Sequence, residues 1–238
     1  MMKKQFSELI KIINNTEDVV NGGWKTEHEP VTIGEAVPSG AATRPFEGFS
    51  SDSLEAIASE IMSCTGCGLS TQRKTPVPGA GVVNPVVLFI GEGPGAEEDK
   101  CGIPFVGKAG QYLDKWLDAI DLKRDENCFI GNIIKCRPPG NRDPHPDEIA
   151  ACRPFLLRQL VLIKPMIIVT LGRFASQVIC SSELGIGRLR GSVHEYQGIP
   201  VIPTYHPSAV LRNPELRSAV WSDLKKVKEL SDEIGQRR

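Results

Sequence analysis

The stretch "PVVLFIGEGPGAEEDKCGIPFVGKAGQYLDKWLDAI", residues 85–120, decides the fold. An apolar run (85–91) gives way to a glycine-rich loop, and the loop gives way to a helical pattern. Three more apolar runs follow: "CFIGNIIK" (128–135), "PMIIVTLG" (165–172) and "IPVIPT" (199–204). Helical patterns separate or follow them: "HPDEIAACRPFLLRQLVLI", "GRFASQVIC" and "ELRSAVWSDLKKVKEL", the last with Leu216, Val220, Leu224 and Val227 on one face. Strands alternating with helices predict an α/β protein, a three-layer α/β/α sandwich around a mostly parallel four-stranded sheet. Ligands of such sheets bind beyond the carboxyl ends of the strands. That filter selects Gly91–Gly95, Asn132, Leu171–Arg173 and Tyr205–Arg212.

The loop after the first strand is unusual for a phosphate cradle. Residues 91–110 hold six glycines, but also Glu92, Glu97, Glu98 and Asp99, whose charge repels phosphate. "GIPFVGKA" fits the P-loop spacing yet has Ala109 where Ser or Thr should hold Mg²⁺. "GEGPG" places glycines at 91, 93 and 95, not in the G-x-G-x-x-G order of dinucleotide binders. Both nucleotide readings are weak.

The rest of the chain sets bounds. Of 238 residues, 40% are hydrophobic and 24% charged, the balance of a globular chain. The N-terminal "MMKKQFSELIKII" is interrupted by Glu8 and Lys11, so a signal-peptide core is not expected and the chain reads as intracellular. Residues 1–50 are rich in Gly, Pro, Ser, Thr and Glu and read as a flexible extension, ahead of one domain over 51–238. The first 60 residues hold 5 Lys and Arg against 10 Asp and Glu, which leaves the remainder net positive. "SDSLEAIASEIM" is a helical stripe leading into Cys64 and Cys67 of "CTGC". With Cys136 and Cys152 these could bind zinc or an iron–sulfur cluster, and spacing alone leaves the two open. Cys128 and Cys180 adjoin apolar runs and read as core residues.

"GEGPGAEEDKCGIPFVGKAG", "NIIKCRPPGNRDPHPDEIAAC" and "YHPSAVLRNP", with "CTGC" upstream, resemble the type-4 uracil-DNA glycosylases over residues 54–230. The resemblance implies a base-excision repair enzyme that flips uracil out of DNA and hydrolyses its N-glycosidic bond without cutting the strand. It implies a [4Fe-4S] cluster on Cys64, Cys67, Cys136 and Cys152, tying the N-terminal helix to the "KCRPP" loop. Gly91 and Gly93 would let backbone approach the base, and Glu92 would position water or stabilise the sugar cation. Phe105 would stack on uracil, Asn132 would read its edge, and His206 would donate to O2. Glu98 would fill the space that a thymine methyl needs. Val210 and Leu211 would wedge into the duplex, with Arg212 on phosphate. A cytoplasmic, nucleoid-associated monomer follows, whose extension could recruit a replication or repair partner. Two alternatives remain: a cluster-bearing DNA-binding module without catalysis, and a relative that traps uracil sites covalently through a histidine, for which only His145 lies nearby.

Overall fold

The computed structural model describes residues 52–236, and the extension expected over 1–50 lies outside them. Six strands form one sheet: β1 (Ala80–Gly81), β2 (Val87–Gly91), β3 (Cys128–Asn132), β4 (Ile167–Leu171), β5 (His194–Tyr196) and β6 (Ile199–Thr204). Their order is β1-β3-β2-β4-β6-β5. The four inner strands are parallel, with Val87 beside Cys128 and Ile167, and Ile168 beside Val201. The outer two are antiparallel.

The sheet is thus wider than the four strands expected. The reason is physical: β1 has two residues, both exposed, and β5 has three with none fully buried. A hydrophobic pattern registers burial, and neither edge is buried. The inner strands β2, β3 and β4 are buried at every position, which is why they read as unbroken apolar runs.

Eight helices are described: α1 (Leu54–Ser63), α2 (Ala96–Cys101), α3 (Lys108–Ala119), α4 (Pro146–Ile163), α5 (Arg173–Ile179), α6 (Ile186–Leu189), α7 (Pro207–Arg212) and α8 (Arg217–Gln236). Side chains alternate across a strand, so each face of the sheet collects its own core. Leu88, Ile90, Phe129, Ile168 and Val201 meet Leu156 and Leu160 of α4 and Phe174 and Val178 of α5. Val87, Phe89, Ile130, Val169 and Ile202 meet Leu113 and Leu117 of α3 and Val220, Leu224 and Val227 of α8. Helix α1 starts at Ser53, whose hydroxyl accepts from the Ala56 N–H at 3.1 Å. It is fastened to α4 by Arg158, which pairs with both Asp52 and Glu60. None of the described helices is long and apolar enough to cross a membrane.

The chain leaves β2, pairs β3 on one side, then crosses to β4 on the other. The carboxyl ends of β2 and β4 are therefore the point where the winding reverses, the place where this kind of sheet opens a crevice.

Candidate active site

Gly91 ends β2 beside Asn132, which ends β3. A Cβ at Gly91 would run into the Asn132 side-chain oxygen and lie 2.6 Å from the Phe105 ring. Only glycine lets those two groups face each other across the strand end. Asn132 is 1% exposed, and its Oδ1 has no hydrogen-bond partner. Leaving a buried acceptor unpaired costs about 1–3 kcal/mol, so such an atom marks a place where a donor is expected to arrive.

Phe105 has a left-handed backbone, φ 53°, which its β-carbon disfavours. The surroundings hold it there. Arg124 donates to the carbonyls of Pro104 (2.8 Å) and Phe105 (2.6 Å) while pairing with Asp114. Gly110 has no side chain where a Cβ would overlap the Phe105 carbonyl. Glu98 of α2, buried, accepts from the N–H groups of Val106 (2.8 Å) and Gly107 (2.9 Å) through one oxygen. Its carboxylate therefore pins the loop that carries Phe105.

His206 follows β6 and caps α7, and its ring lies 5.6 Å from that of Phe105, tilted by 33°. Nδ1 accepts from the Ser208 N–H at 3.2 Å and sits 2.8 Å from the Ser208 hydroxyl. An Nδ1 that accepts from a backbone N–H carries no proton, so in the neutral ring the proton is on Nε2. Burial, then the Arg212 charge, pushes the imidazole down to about 4, against a smaller opposing pull from Glu98. At neutral pH the ring is an uncharged Nε2–H donor. Behind it, Gly172 at the end of β4 leaves room that a Cβ would bring within 3.0 Å of the His206 Cβ.

Glu92 opens the loop after β2. Burial and then the Asp143 carboxylate raise it to about 7, and Arg173 partly offsets them. Arg173 pairs with Asp143 at 2.8 Å and lies over the Phe174 ring. Gly93, next in the loop, packs where a Cβ would come 2.7 Å from Ile134.

The thiols of Cys64, Cys67, Cys136 and Cys152 are free, and they gather near one another. Cys136 feels the charges of Cys67 and Cys64, and Cys152 those of Cys136 and Cys67. Burial pushes Cys136 up and Cys152 up to about 11, so as thiolates both need a cation or a metal group nearby. Arg73 donates to Cys136 Sγ at 3.0 Å, and the buried Lys135 ammonium lies near Cys152. Among the described residues no three of His, Cys, Asp and Glu are arranged to hold a single metal ion.

One sequence reading changes, that of Val210, while His145 keeps its place at a helix start. Val210 is 1% exposed and packs against the core on the α8 face, so it is not free to wedge into DNA; α7 turns its neighbours outward instead. Leu211 is 45% exposed and Arg212 is exposed. His145 is the N-cap of α4, where Glu148 accepts from its backbone N–H at 2.8 Å. Sequence reasoning overlooked Arg124 and Asp143, and it selected the segments holding Arg173 and Ser208 without giving either a role. Ser208 left a further trace, since a cap residue followed by Pro opens a helix in "HPSA".

The Uracil DNA glycosylase superfamily family model matches residues 78–225. A type-4 uracil-DNA glycosylase of Sulfurisphaera tokodaii is 46% identical over 190 residues, 76% of this chain and 86% of that protein. One from Archaeoglobus fulgidus is 46% identical over 187 residues, 75% of this chain and 94% of the relative. One from Thermotoga maritima is 44% identical over 179 residues, 74% and 93%.

Proposed function

The chain belongs to the uracil DNA glycosylase superfamily, among its type-4 members, and from that premise we propose that it excises uracil from DNA by hydrolysing the N-glycosidic bond. The observation that carries this reading onto named residues is the unpartnered, buried Oδ1 of Asn132 facing the Phe105 ring across Gly91. Uracil supplies what that acceptor lacks, its N3–H, while O4 can take the amide N–H. Cytosine has a bare N3 and an amino group and mismatches both contacts.

In this reading the flipped base stacks on Phe105, an interaction worth about 1–3 kcal/mol per base. The His206 Nε2–H points at O2, where negative charge grows as the glycosidic bond breaks. A donor placed there stabilises the transition state more than the bound substrate. Glu92 as carboxylate orients water toward C1′ or stabilises the sugar cation, with Gly91 and Gly93 letting the backbone close in. Glu98 walls the space beyond C5. Because its oxygen is held by two N–H groups, it cannot step aside for a methyl. Leu211 enters the stack where the base leaves, and Arg212 takes phosphate. The enzyme acts as a cytoplasmic monomer, and residues 1–50 recruit a partner without entering the chemistry.

Cys64, Cys67, Cys136 and Cys152 would hold a [4Fe-4S] cluster. Four thiols that lie close enough to feel one another's charge supply the four thiolates such a cluster needs. When bound, the cluster supplies a structural tie between α1 and the β3–α4 connection, along with an electron-accepting centre that hydrolysis does not use.

The test is excision from oligonucleotides carrying uracil, thymine or cytosine at one position. We expect cleavage at uracil alone after alkaline treatment, and Asn132→Asp should lose most of it while gaining weak activity on mispaired cytosine. Near wild-type uracil excision by Asn132→Asp would mean that another residue reads the base edge.

A further inference from the structure

Arg73 lies just beyond the short turn at Gly68–Thr71, outside every motif that the sequence singled out. Its guanidinium makes three contacts. One nitrogen donates to Cys136 Sγ at 3.0 Å. The other donates to the carbonyl of Cys64 at 2.7 Å and, more loosely, to that of Met62 at 3.3 Å. One planar fork thus joins the end of α1 and the first cysteine to a cysteine 72 residues further along the chain. The fork is also a permanent cation touching one sulfur of the set. The link continues through the backbone: the Lys74 N–H donates to the buried Asp99 carboxylate at 2.9 Å, in the helix that also carries Glu98.

Resting on the cluster reading above, we propose that Arg73 is the positioning residue of the iron–sulfur site, clamping its two cysteine arms together and setting its reduction potential. The two roles have separate physical origins. Clamping needs the fork, because two carbonyls and a sulfur must be reached at once. Setting the potential needs only charge. A [4Fe-4S] group on four thiolates gains one more negative charge on reduction, and a cation at a ligating sulfur stabilises the reduced state more than the oxidised one. Hydrogen bonds to the sulfurs act in the same direction. Excision itself involves no electron, so the potential is a property of the site and not a step of the reaction.

The roles separate with two variants of the full-length protein purified without oxygen. Arg73→Gln should lose both. Its one-electron midpoint, read by voltammetry, moves negative, and iron release to a ferrous chelator speeds up by about tenfold or more, the usual scale for losing such a support. Arg73→Lys should hold the midpoint near wild type but still release iron faster than wild type, because an ammonium keeps the charge and not the fork. A wild-type midpoint and wild-type release rate in Arg73→Gln would overturn the proposal. So would equal recovery of both properties in Arg73→Lys, which would leave charge alone in control. If Arg73→Gln cannot be isolated with iron, Arg73→Lys still decides, since wild-type iron retention there refutes the clamp. Wild-type protein that binds no iron and sulfide would instead refute the cluster reading, an outcome visible before any variant is made.

Discussion

Glu92 and His206, the two residues proposed to act on the substrate, have their protonation pushed in different ways. Burial keeps Glu92 protonated up to about 7, whereas it keeps His206 neutral down to about 4. If Glu92 works as a carboxylate, excision at saturating substrate should rise with pH through about 7, and His206 should add no further limb down to about pH 4. The sign for stability is opposite. A carboxyl whose folded value lies above its unfolded value favours folding below the unfolded value, and that benefit disappears as pH rises through the folded one. Glu92→Gln should therefore raise the melting temperature at pH 8, leave it unchanged near pH 4, and abolish the rise in rate. An unaltered pH profile in Glu92→Gln would remove Glu92 from the chemistry. His206→Ala should slow single-turnover excision by about 10²–10³-fold, the scale of losing one oxyanion donor, with little effect on DNA binding. Equal losses in rate and binding would place the histidine elsewhere. That Asn132 and His206 stand at or just past strand ends was legible in the sequence, because each follows an apolar run. That Glu92 would be governed by Asp143 and Arg173 was not, since the pair comes from separate connections and meets only through folding.

Among the elements, the loop from α2 to α3 depends most on its supports. Phe105 keeps its left-handed backbone because Arg124, Glu98 and the bare Gly110 hold it from three sides. Gly110→Ala drives a methyl into the Phe105 carbonyl, and we expect a loss of about 1–3 kcal/mol in urea unfolding together with weaker uracil binding. A variant of wild-type stability and affinity would show that the loop has room to yield. The helices and inner strands were readable because each shows a periodic burial pattern, as with Leu224 and Val227 of α8. The edge strands β1 and β5 were not, because two or three exposed residues carry no period. The misreading of Val210 has the same root: three neighbouring residues in "VLR" look alike in a motif, but a helical turn sends one inward and two outward.

For the whole molecule, the resemblance begins near residue 54 and the described structure near the same point, so deleting residues 1–50 should leave uracil excision within about twofold of wild type, a range that ordinary differences in preparation cover. A folded but inactive truncation would make the extension part of the site. The truncated protein should also keep about four irons per chain. The three residues expected to grip the base reach it from the loop between α2 and α3, from the end of β3 and from just past the end of β6. Strands β3 and β6 are not neighbours; β2 and β4 lie between them. A chain cut at the partly exposed segment Ser181–Gly185 therefore yields two inert pieces, one with Phe105 and Asn132 and the other with His206. Activity could return only when the second piece adds β6 to β4. Excision by the recombined halves would then report on assembly of the sheet itself, a fragment-complementation readout in which catalysis measures folding.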